Sequence, residues 1–204
     1  MDNIYKFYNN SEKIIKIKNT ILNNIVGRVC HTRVLVLYIL CELYDIKNYL
    51  EIGVHNGASM SFVVSHPKVN KCIGIDLFEN TFGHYIKDNI TLDRSKSNIL
   101  SNCINNKEII FIKGNSKSDE TFKHLEHNIG NDEFDLLFID GDHSYESVKS
   151  DFTIYEKYVR HGGLIVFDDY HWKSIRKFID EIKDNPRYQI IGLFENTEFI
   201  LLKI

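Results

Sequence analysis

Short apolar segments alternate with helix-like segments through most of this chain. Such alternation is typical of βαβ units, which build a parallel sheet with helices on both faces. The apolar segments are almost continuously hydrophobic, as expected of strands that are buried on both sides. Strands are predicted at residues 48–52, 71–76, 108–113, 134–139 and 163–168. Helices are predicted at residues 12–26, 32–46, 58–66, 117–128, 144–160 and 172–184.

The end of the chain breaks this alternation. The segment YQIIGLFENTEFILLKI contains two further strands, residues 188–194 and 198–203, with only a tight turn around Glu195–Thr197 between them. Strands that are joined so briefly are antiparallel. The sequence therefore predicts an α/β, Rossmann-like, doubly wound sheet of seven strands, mostly parallel, with an antiparallel last strand and helices on both faces. Gly162 and Gly163 are interpreted as the C-terminal stop of the preceding helix.

The bulk composition indicates one globular domain over residues 1–204, because 43% of the residues are apolar and 26% are charged. A formal net charge of −3 argues against a nucleic-acid partner that binds a broad basic surface. No apolar run approaches the roughly 20 residues that span a bilayer, and the polar N-terminus lacks a signal-peptide apolar block. We therefore expect a cytoplasmic protein with no membrane partner.

The cysteines form no CxxC pair, so we expect free thiols: Cys30, Cys41, Cys72 and Cys103.

A glycine loop, YLEIGVHNGAS, follows the first predicted strand and opens a helix. Gly53 and Gly57 would let the backbone approach a ligand at the carboxyl end of the sheet, where open α/β sheets bind. A dinucleotide fingerprint, GxGxxG, would need glycine at two further positions, which are His55 and Ala58 here. A pyrophosphate cradle is therefore poorly supported. A tight strand-to-helix turn that serves packing alone stays an alternative.

Two acidic residues stand at the ends of successive strands beside this loop. Glu51 could face the ammonium group of a ligand. Asp76 ends the second strand, which is a good position for accepting hydrogen bonds from ribose hydroxyl groups. The alternative for Asp76 is a helix N-cap.

Three further carboxylates follow the fourth and fifth strands. Because the carboxyl ends of adjacent parallel strands lie side by side, we expect Asp140, Asp168 and Asp169 to converge on one edge of the cleft. Clustered carboxylates raise one another's pKa, and a hard divalent cation removes that conflict. Oxygen ligands suit Mg²⁺, and also Mn²⁺ or Ca²⁺.

Other roles remain open for these residues. Asp140 could bind only a cofactor, and Asp168 and Asp169 could cap a helix. His143 could be a residue at a helix N-terminus that bonds to the backbone. Asp142 could cap the next helix.

The pattern E-x-G-x-x-x-G, an acid ending the second strand and a terminal hairpin together resemble the class I S-adenosylmethionine-dependent methyltransferase fold, over roughly residues 32–204. His55 replaces the middle glycine of that family's usual pattern. The resemblance implies that Glu51, Gly53 and Gly57 line the methionine end of S-adenosylmethionine and that Asp76 holds its ribose. The segment KGNSKS resembles the adenine-side segment, with Asn115 where aspartate is commoner. The implied cofactor residues also include Ser116 and Asp140.

The stretches DLLFIDGDHSYESVKSDF and GGLIVFDDYH resemble the metal-dependent O-methyltransferase group that includes macrocin-type sugar O-methyltransferases. This resemblance implies that Asp140, Asp168 and Asp169 bind Mg²⁺ or another hard divalent cation. It gives His143 the role of base. The implied reaction is methyl transfer to a hydroxyl group of a small polyhydroxylated acceptor, a sugar or glycoside.

The segment between the second and third strands, residues 77–107, is longer than an ordinary connection. It mixes aromatic and polar side chains, which suit a carbohydrate, and we interpret it as a substrate lid. An extra helix that packs on the body or on a partner subunit is the alternative. Candidate substrate residues are His84, Tyr85, Tyr170 and His171; for the last two, plain packing is an equal alternative. The N-terminal helices, within residues 1–47, could roof the site or form the dimer face of a homo-oligomer.

Two functions other than methyl transfer are alternatives for a chain with this pattern. One is an NAD-dependent oxidoreductase, which His55, Ala58 and the terminal hairpin disfavour. The other is a non-catalytic methyltransferase-like module that acts through a partner. The full set of acidic residues and His143 weighs against that loss of activity.

Overall fold

Seven strands form one sheet in the order β3-β2-β1-β4-β5-β7-β6. The computed structural model describes residues 1–10, 12–27, 33–79 and 90–204. Neighbouring strands are parallel except where β7 pairs with β5 and with β6. The strands are β1 (Asn48–Ile52), β2 (Lys71–Asp76), β3 (Glu108–Lys113), β4 (Phe134–Ile139), β5 (Val159–Phe167), β6 (Tyr188–Phe194) and β7 (Glu198–Lys203). The predicted fold class, with its antiparallel last strand, is confirmed.

Helices cover both faces of this sheet. They are α1 (Asp2–Asn10), α2 (Glu12–Asn24), α3 (Leu35–Leu43), α4 (Ala58–Val64), α5 (Leu92–Asn102), α6 (Asp119–Ile129), α7 (Tyr145–Tyr155) and α8 (Lys173–Ile182). Alternate strand residues enter two separate cores, because successive side chains of a strand point to opposite faces. One core includes Leu37 and Phe62 and is shared by α1 to α5. The other includes Phe152 and Ile179 and is shared by α6 to α8.

The prediction that Gly162 and Gly163 end a helix is wrong. Helix α7 ends at Tyr155, a short 3₁₀ turn follows, and both glycines lie inside β5. The pairing of β4 with β5 shifts register between Phe134 and Leu136, and Gly162 has a φ of +77°. The glycines therefore accommodate an irregular strand start. Glycine with a positive φ angle occurs both at helix ends and at strand bulges, so the sequence alone did not distinguish the two.

Helix α5 occupies part of the long segment between β2 and β3, and it packs on the body of the domain. Asn98 of α5 bonds to both backbone groups of Val26, at 2.9 and 3.0 Å, and to the carbonyl oxygen of Asn56 at 2.9 Å. The helix therefore fastens the glycine loop to the end of the N-terminal helical region. His84 and Tyr85 lie outside the described residues, and the substrate lid stays a prediction.

Composition also predicted free thiols and no membrane-spanning segment. Cys41 and Cys72 are buried free cysteines, and Cys103 is half-buried and also free. Cys30 lies outside the described residues. Across the described ranges, no helix is long and apolar enough to cross a membrane.

Gly57 should be more sensitive to alanine than Gly130, although both have positive φ angles, of +84° and +60°. A Cβ on Gly57 would lie 2.6 Å from Cγ1 of Ile99 in α5, whereas a Cβ on Gly130 would meet nothing within 4 Å. Backbone strain of about 1–3 kcal/mol applies to both variants. Overpacking should cost Gly57→Ala a further ~1–3 kcal/mol of unfolding free energy, measured by urea denaturation. Equal losses for Gly57→Ala and Gly130→Ala would contradict the packing of α4 on α5.

Candidate active site

A cavity of about 910 Å³ opens at the carboxyl end of the parallel strands. This volume is in the range that holds a small-molecule ligand or cofactor. Its walls come from the glycine loop after β1, from the ends of β2, β3, β4 and β5, and from the first turn of α7.

Gly53 brings the loops after β1 and β4 into direct contact. Its φ is +91°, and a Cβ there would collide with the carbonyl oxygen of Asp140. Sheet hydrogen bonding continues through the contact, because Gly53 N donates to Ile75 O at 2.9 Å and Asp140 N donates to Ile52 O at 2.8 Å. Gly53 therefore satisfies a packing requirement and also lines the cavity. Gly57 is not part of the cavity wall and serves the packing of α4 on α5.

Glu51 lies one layer behind the cavity wall. Its side chain is fully buried and accepts hydrogen bonds from Tyr49 Oη, at 2.7 Å, and from Ser59 Oγ. Ser59 lines the cavity and Glu51 does not. Burial raises the pKa of Glu51 to about 8, and the charges of Asp76 and Asp168 add to the shift. Direct contact between Glu51 and a ligand ammonium group stays a prediction.

Asp76 lines the cavity at the end of β2 and fixes the glycine loop. Its carboxylate accepts hydrogen bonds from the backbone nitrogens of His55, at 2.8 Å, and of Phe78, at 2.5 Å. No helix begins at this point of the described chain, so the N-cap alternative does not apply. The same carboxylate thus positions one wall and faces the space beside it.

The predicted adenine-side residues Asn115 and Ser116 also line the cavity. Asn115 Oδ1 accepts a hydrogen bond from the backbone nitrogen of Lys117 at 2.9 Å. Ser116 Oγ donates to Asp151 Oδ1 at 2.6 Å, which ties the loop after β3 to α7. Burial raises the pKa of Asp151 to about 6.

Asp151 was missed in the sequence, although a signal for it exists. Ser144, Ser147 and Asp151 recur at helical spacing, which places them on one face of α7. All three line the cavity. Polar residues in that register, on a helix that otherwise buries apolar residues, mark a face that meets a polar space.

Asp140, His143 and Asp169 come together at another part of the cavity. Each offers one ligand atom, and these atoms lie within 4.8 Å of one another. His143 Nε2 is 3.7 Å from Asp140 Oδ1 and 3.3 Å from Asp169 Oδ2. All three side chains are partly exposed to solvent, at 16–27%. Two predicted metal ligands and the predicted base therefore form one cluster.

Asp168, the third predicted metal ligand, lies beside this cluster and not in it. It lines the cavity but is only 2% exposed, and its Oδ1 accepts a hydrogen bond from the backbone nitrogen of Asp169 at 2.7 Å. Asp169 has a φ of +52°, so the chain turns sharply between the two acids and separates their side chains. Neither is the cap residue of α8, which is Trp172.

Asp142 is not the N-cap residue of α7 that the alternative expected, but it supports the start of this helix. It accepts hydrogen bonds from Ser144 Oγ at 2.8 Å and from Ser147 Oγ at 2.6 Å. Ser144 is the N-cap residue itself and accepts from the backbone nitrogen of Ser147. This polar network holds the segment that carries Asp140 and His143.

Of the two candidate acceptor residues in the described chain, one lines the cavity and the other does not. His171 lines the cavity, with Nδ1 3.5 Å from Asp169 Oδ1. Tyr170 is outside the cavity wall and stacks on Phe199 with ring centroids 5.1 Å apart, which is the packing alternative. Trp172, half exposed, lines the cavity with its ring centroid 5.3 Å from that of His143.

Sequence comparison identifies relatives of this chain. A family model described as a methyltransferase domain matches residues 50–170, more than half of the chain. A protein of Acanthamoeba polyphaga mimivirus, described as uncharacterized protein R132, is 33% identical over 191 residues. That match covers 87% of this chain and 82% of the relative.

Three solved structures share the fold at low sequence identity. An SAH-bound methyltransferase of Podospora anserina, PaMTH1, has a TM-score of 0.63 at 14% identity, covering 98% of this chain and 92% of its own. An O-methyltransferase from Bacillus cereus in complex with SAH has a TM-score of 0.58 at 17% identity, covering 100% and 96%. The O-methyltransferase TomG from Streptomyces achromogenes, in complex with SAM, has a TM-score of 0.56 at 16% identity, covering 100% and 95%.

Glu51→Gln should change how stability depends on pH. The folded state holds a proton on Glu51 up to about pH 8, whereas the ordinary pKa is 4.5. The contribution of Glu51 to stability is therefore lost as pH rises from 4.5 to about 8, and Gln removes this loss. The unfolding free energy of Glu51→Gln minus that of the wild type should rise across this window, by at most about 1.4 kcal/mol per pH unit.

Urea denaturation at several pH values measures this difference. Glu133→Gln, at an exposed position before β4, is the matched control and should follow the wild-type profile. A profile for Glu51→Gln that also runs parallel to the wild type would show that Glu51 titrates normally in the folded protein.

Proposed function

Because the chain belongs to the methyltransferase domain family, we propose that it is an S-adenosylmethionine-dependent O-methyltransferase assisted by Mg²⁺ or another hard divalent cation. One observation carries the proposal. The group formed by Asp140, His143 and Asp169 lies in the same cavity as the glycine loop at Gly53. The SAM and SAH named for the TomG and Bacillus cereus structures support the choice of methyl donor.

The cofactor is proposed to lie across the carboxyl ends of β1, β2 and β3. S-adenosylmethionine supplies a sulfonium methyl group, which is a good electrophile. The backbone at Gly53 leaves room for its methionine part, and Asp76 accepts hydrogen bonds from its ribose hydroxyl groups. Asn115 and Ser116, which line the cavity after β3, are proposed to contact its adenine.

The cation site is proposed on Asp140 and Asp169. Two partly exposed carboxylates beside one imidazole repel each other, and a bound cation relieves that repulsion. The carboxylates suit Mg²⁺ and also Mn²⁺. A bound cation would supply positive charge that lowers the pKa of a neighbouring acceptor hydroxyl group. Asp168 supports this site indirectly, because its carboxylate accepts a hydrogen bond from the backbone nitrogen of Asp169.

His143 is proposed as the base that accepts the hydroxyl proton. Its Nε2 lies 3.7 Å from Asp140 Oδ1 and 3.3 Å from Asp169 Oδ2, and these carboxylates orient the ring. The carbonyl oxygen of His143 accepts a hydrogen bond from Ser174 Oγ at 2.6 Å, whereas the imidazole ring faces the acids and not the backbone. Deprotonation matters because a neutral alcohol is a poor nucleophile.

The acceptor is proposed to be a small polyhydroxylated molecule, a sugar or glycoside. Trp172 offers an exposed ring face beside His143, and His171 adds a polar partner. An apolar ring face next to several hydrogen-bonding groups suits a ligand that carries hydroxyl groups on a compact ring. A cytoplasmic location is part of the same proposal.

Asp140→Asn and Asp169→Asn should each weaken Mn²⁺ and Mg²⁺ binding by at least about tenfold, because each removes one charged ligand. Asp142→Asn is the matched control, since Asp142 lies in the same segment and bonds to Ser144 and Ser147 instead. Isothermal titration calorimetry with each metal ion measures the affinities. Equal affinity in Asp169→Asn and Asp142→Asn would remove Asp169 from the site.

His143→Ala should lower turnover by about 10²–10⁴-fold, the usual contribution of a general base. Turnover is followed as S-adenosylhomocysteine release with the most active member of a panel of glycosides. Metal affinity of the same variant separates base from ligand, because a base can be removed without loss of Mn²⁺ binding. A loss of metal binding that matches the loss of turnover would make His143 a ligand.

A further inference from the structure

The carboxylate of Asp151 contributes to the cavity wall at the proposed adenine side. It stands on α7, is 2% exposed, and bonds through Oδ1 to Ser116 Oγ at 2.6 Å. Within the described residues no donor bonds to its Oδ2. A Cβ on Gly141 would lie 3.2 Å from that Oδ2, so the oxygen sits between the loops after β3 and β4. A carboxylate in this position presents one acceptor oxygen that is not yet used.

The neighbouring polar groups are already engaged. Asn115 Oδ1 accepts from the backbone nitrogen of Lys117, and Lys117 Nζ donates to Ser147 Oγ at 2.8 Å. Asp142 accepts hydrogen bonds from the hydroxyl groups of Ser144 and Ser147. These neighbours therefore leave Oδ2 of Asp151 as the acceptor that a ligand would meet here. The ligand atom in contact with it must be a hydrogen-bond donor, because an acceptor would be repelled by the carboxylate oxygen.

Retaining a carboxylate at this position has an energetic cost. Burial disfavours its charged form, and a neutral side chain could accept the same hydrogen bond from Ser116 Oγ. A charged acceptor is worth this cost where it meets a ligand N–H, because hydrogen bonds to ionised groups are stronger than neutral ones. Asn115 cannot fill this role while its oxygen closes a local turn.

We infer that Asp151 Oδ2 accepts a hydrogen bond from the exocyclic 6-amino group of the cofactor's purine and so selects adenine. The inference rests on the proposed function, because it assumes that the adenosyl group binds between Ser116 and α7. A 6-oxo purine would place oxygen lone pairs against the carboxylate and be rejected.

Calorimetric titration with S-adenosylhomocysteine and S-inosylhomocysteine tests this assignment, since the two ligands differ at the purine 6-position. The wild type should prefer the adenosyl ligand by about 10- to 100-fold, the cost of an unpaired buried acceptor. Asp151→Asn keeps an oxygen for Ser116 and can present an N–H to the purine, so the ratio should fall to about one or invert. Asp180→Asn, at an exposed position on α8 that bonds to Lys183, is the control and should keep the wild-type ratio.

The ratio of the two affinities separates selection of adenine from a structural role of Asp151, because a loosened cavity would weaken the binding of both ligands together. No binding of S-adenosylhomocysteine to the wild type would overturn the proposed function. Tight binding of both ligands with equal affinity, or an unchanged ratio in Asp151→Asn, would overturn only the role of Asp151. Should Asp151→Asn not fold, Asp151→Ser supplies the same comparison, and the wild-type ratio near one still refutes the inference.

Discussion

The contact between Gly53 and the carbonyl oxygen of Asp140 is the constraint on which the site depends. It lets the loops after β1 and β4 touch at the carboxyl edge of the sheet, where any side chain on residue 53 would hold them apart. The cavity, the position of Asp140 and the approach of His143 all follow from that contact. A glycine that first suggests ligand binding is thus explained by packing, and the packing in turn creates the space for a ligand.

Much of the fold was predictable because hydrophobic periodicity and strand ends are local properties. Six of the strands have the bounds that were predicted, since their apolar runs stop abruptly at charged or glycine residues. The start of β5 was not predictable in this way. Its irregular pairing with β4 arises between strands that are distant in sequence, and Gly162 reads equally well as a helix stop or a bulge.

The candidate site was predictable to the level of the strand end but not to the level of the side chain. Parallel topology alone places Asp140, Asp168 and Asp169 at one edge. The left-handed backbone at Asp169 decides which of the paired acids turns toward His143. No sequence pattern predicts that conformation. The contact between Asp151 and Ser116 was not predictable for a related reason, because Ser116 belongs to another strand connection.

Two glutamates near the sheet edge differ in environment from the carboxylates that line the cavity. Glu51 and Glu198 are fully buried, and burial raises their pKa to about 8 and about 9, so protons neutralise them at neutral pH. The side chains of Asp140 and Asp169, in contrast, keep contact with solvent at 26% and 16% exposure. Since burial disfavours the charged form of a carboxyl group, these two glutamates add little negative charge to the edge. Neutral glutamates behind the cavity wall thus reduce the repulsion among the acidic residues of this edge, which allows so many of them to coexist with a folded sheet.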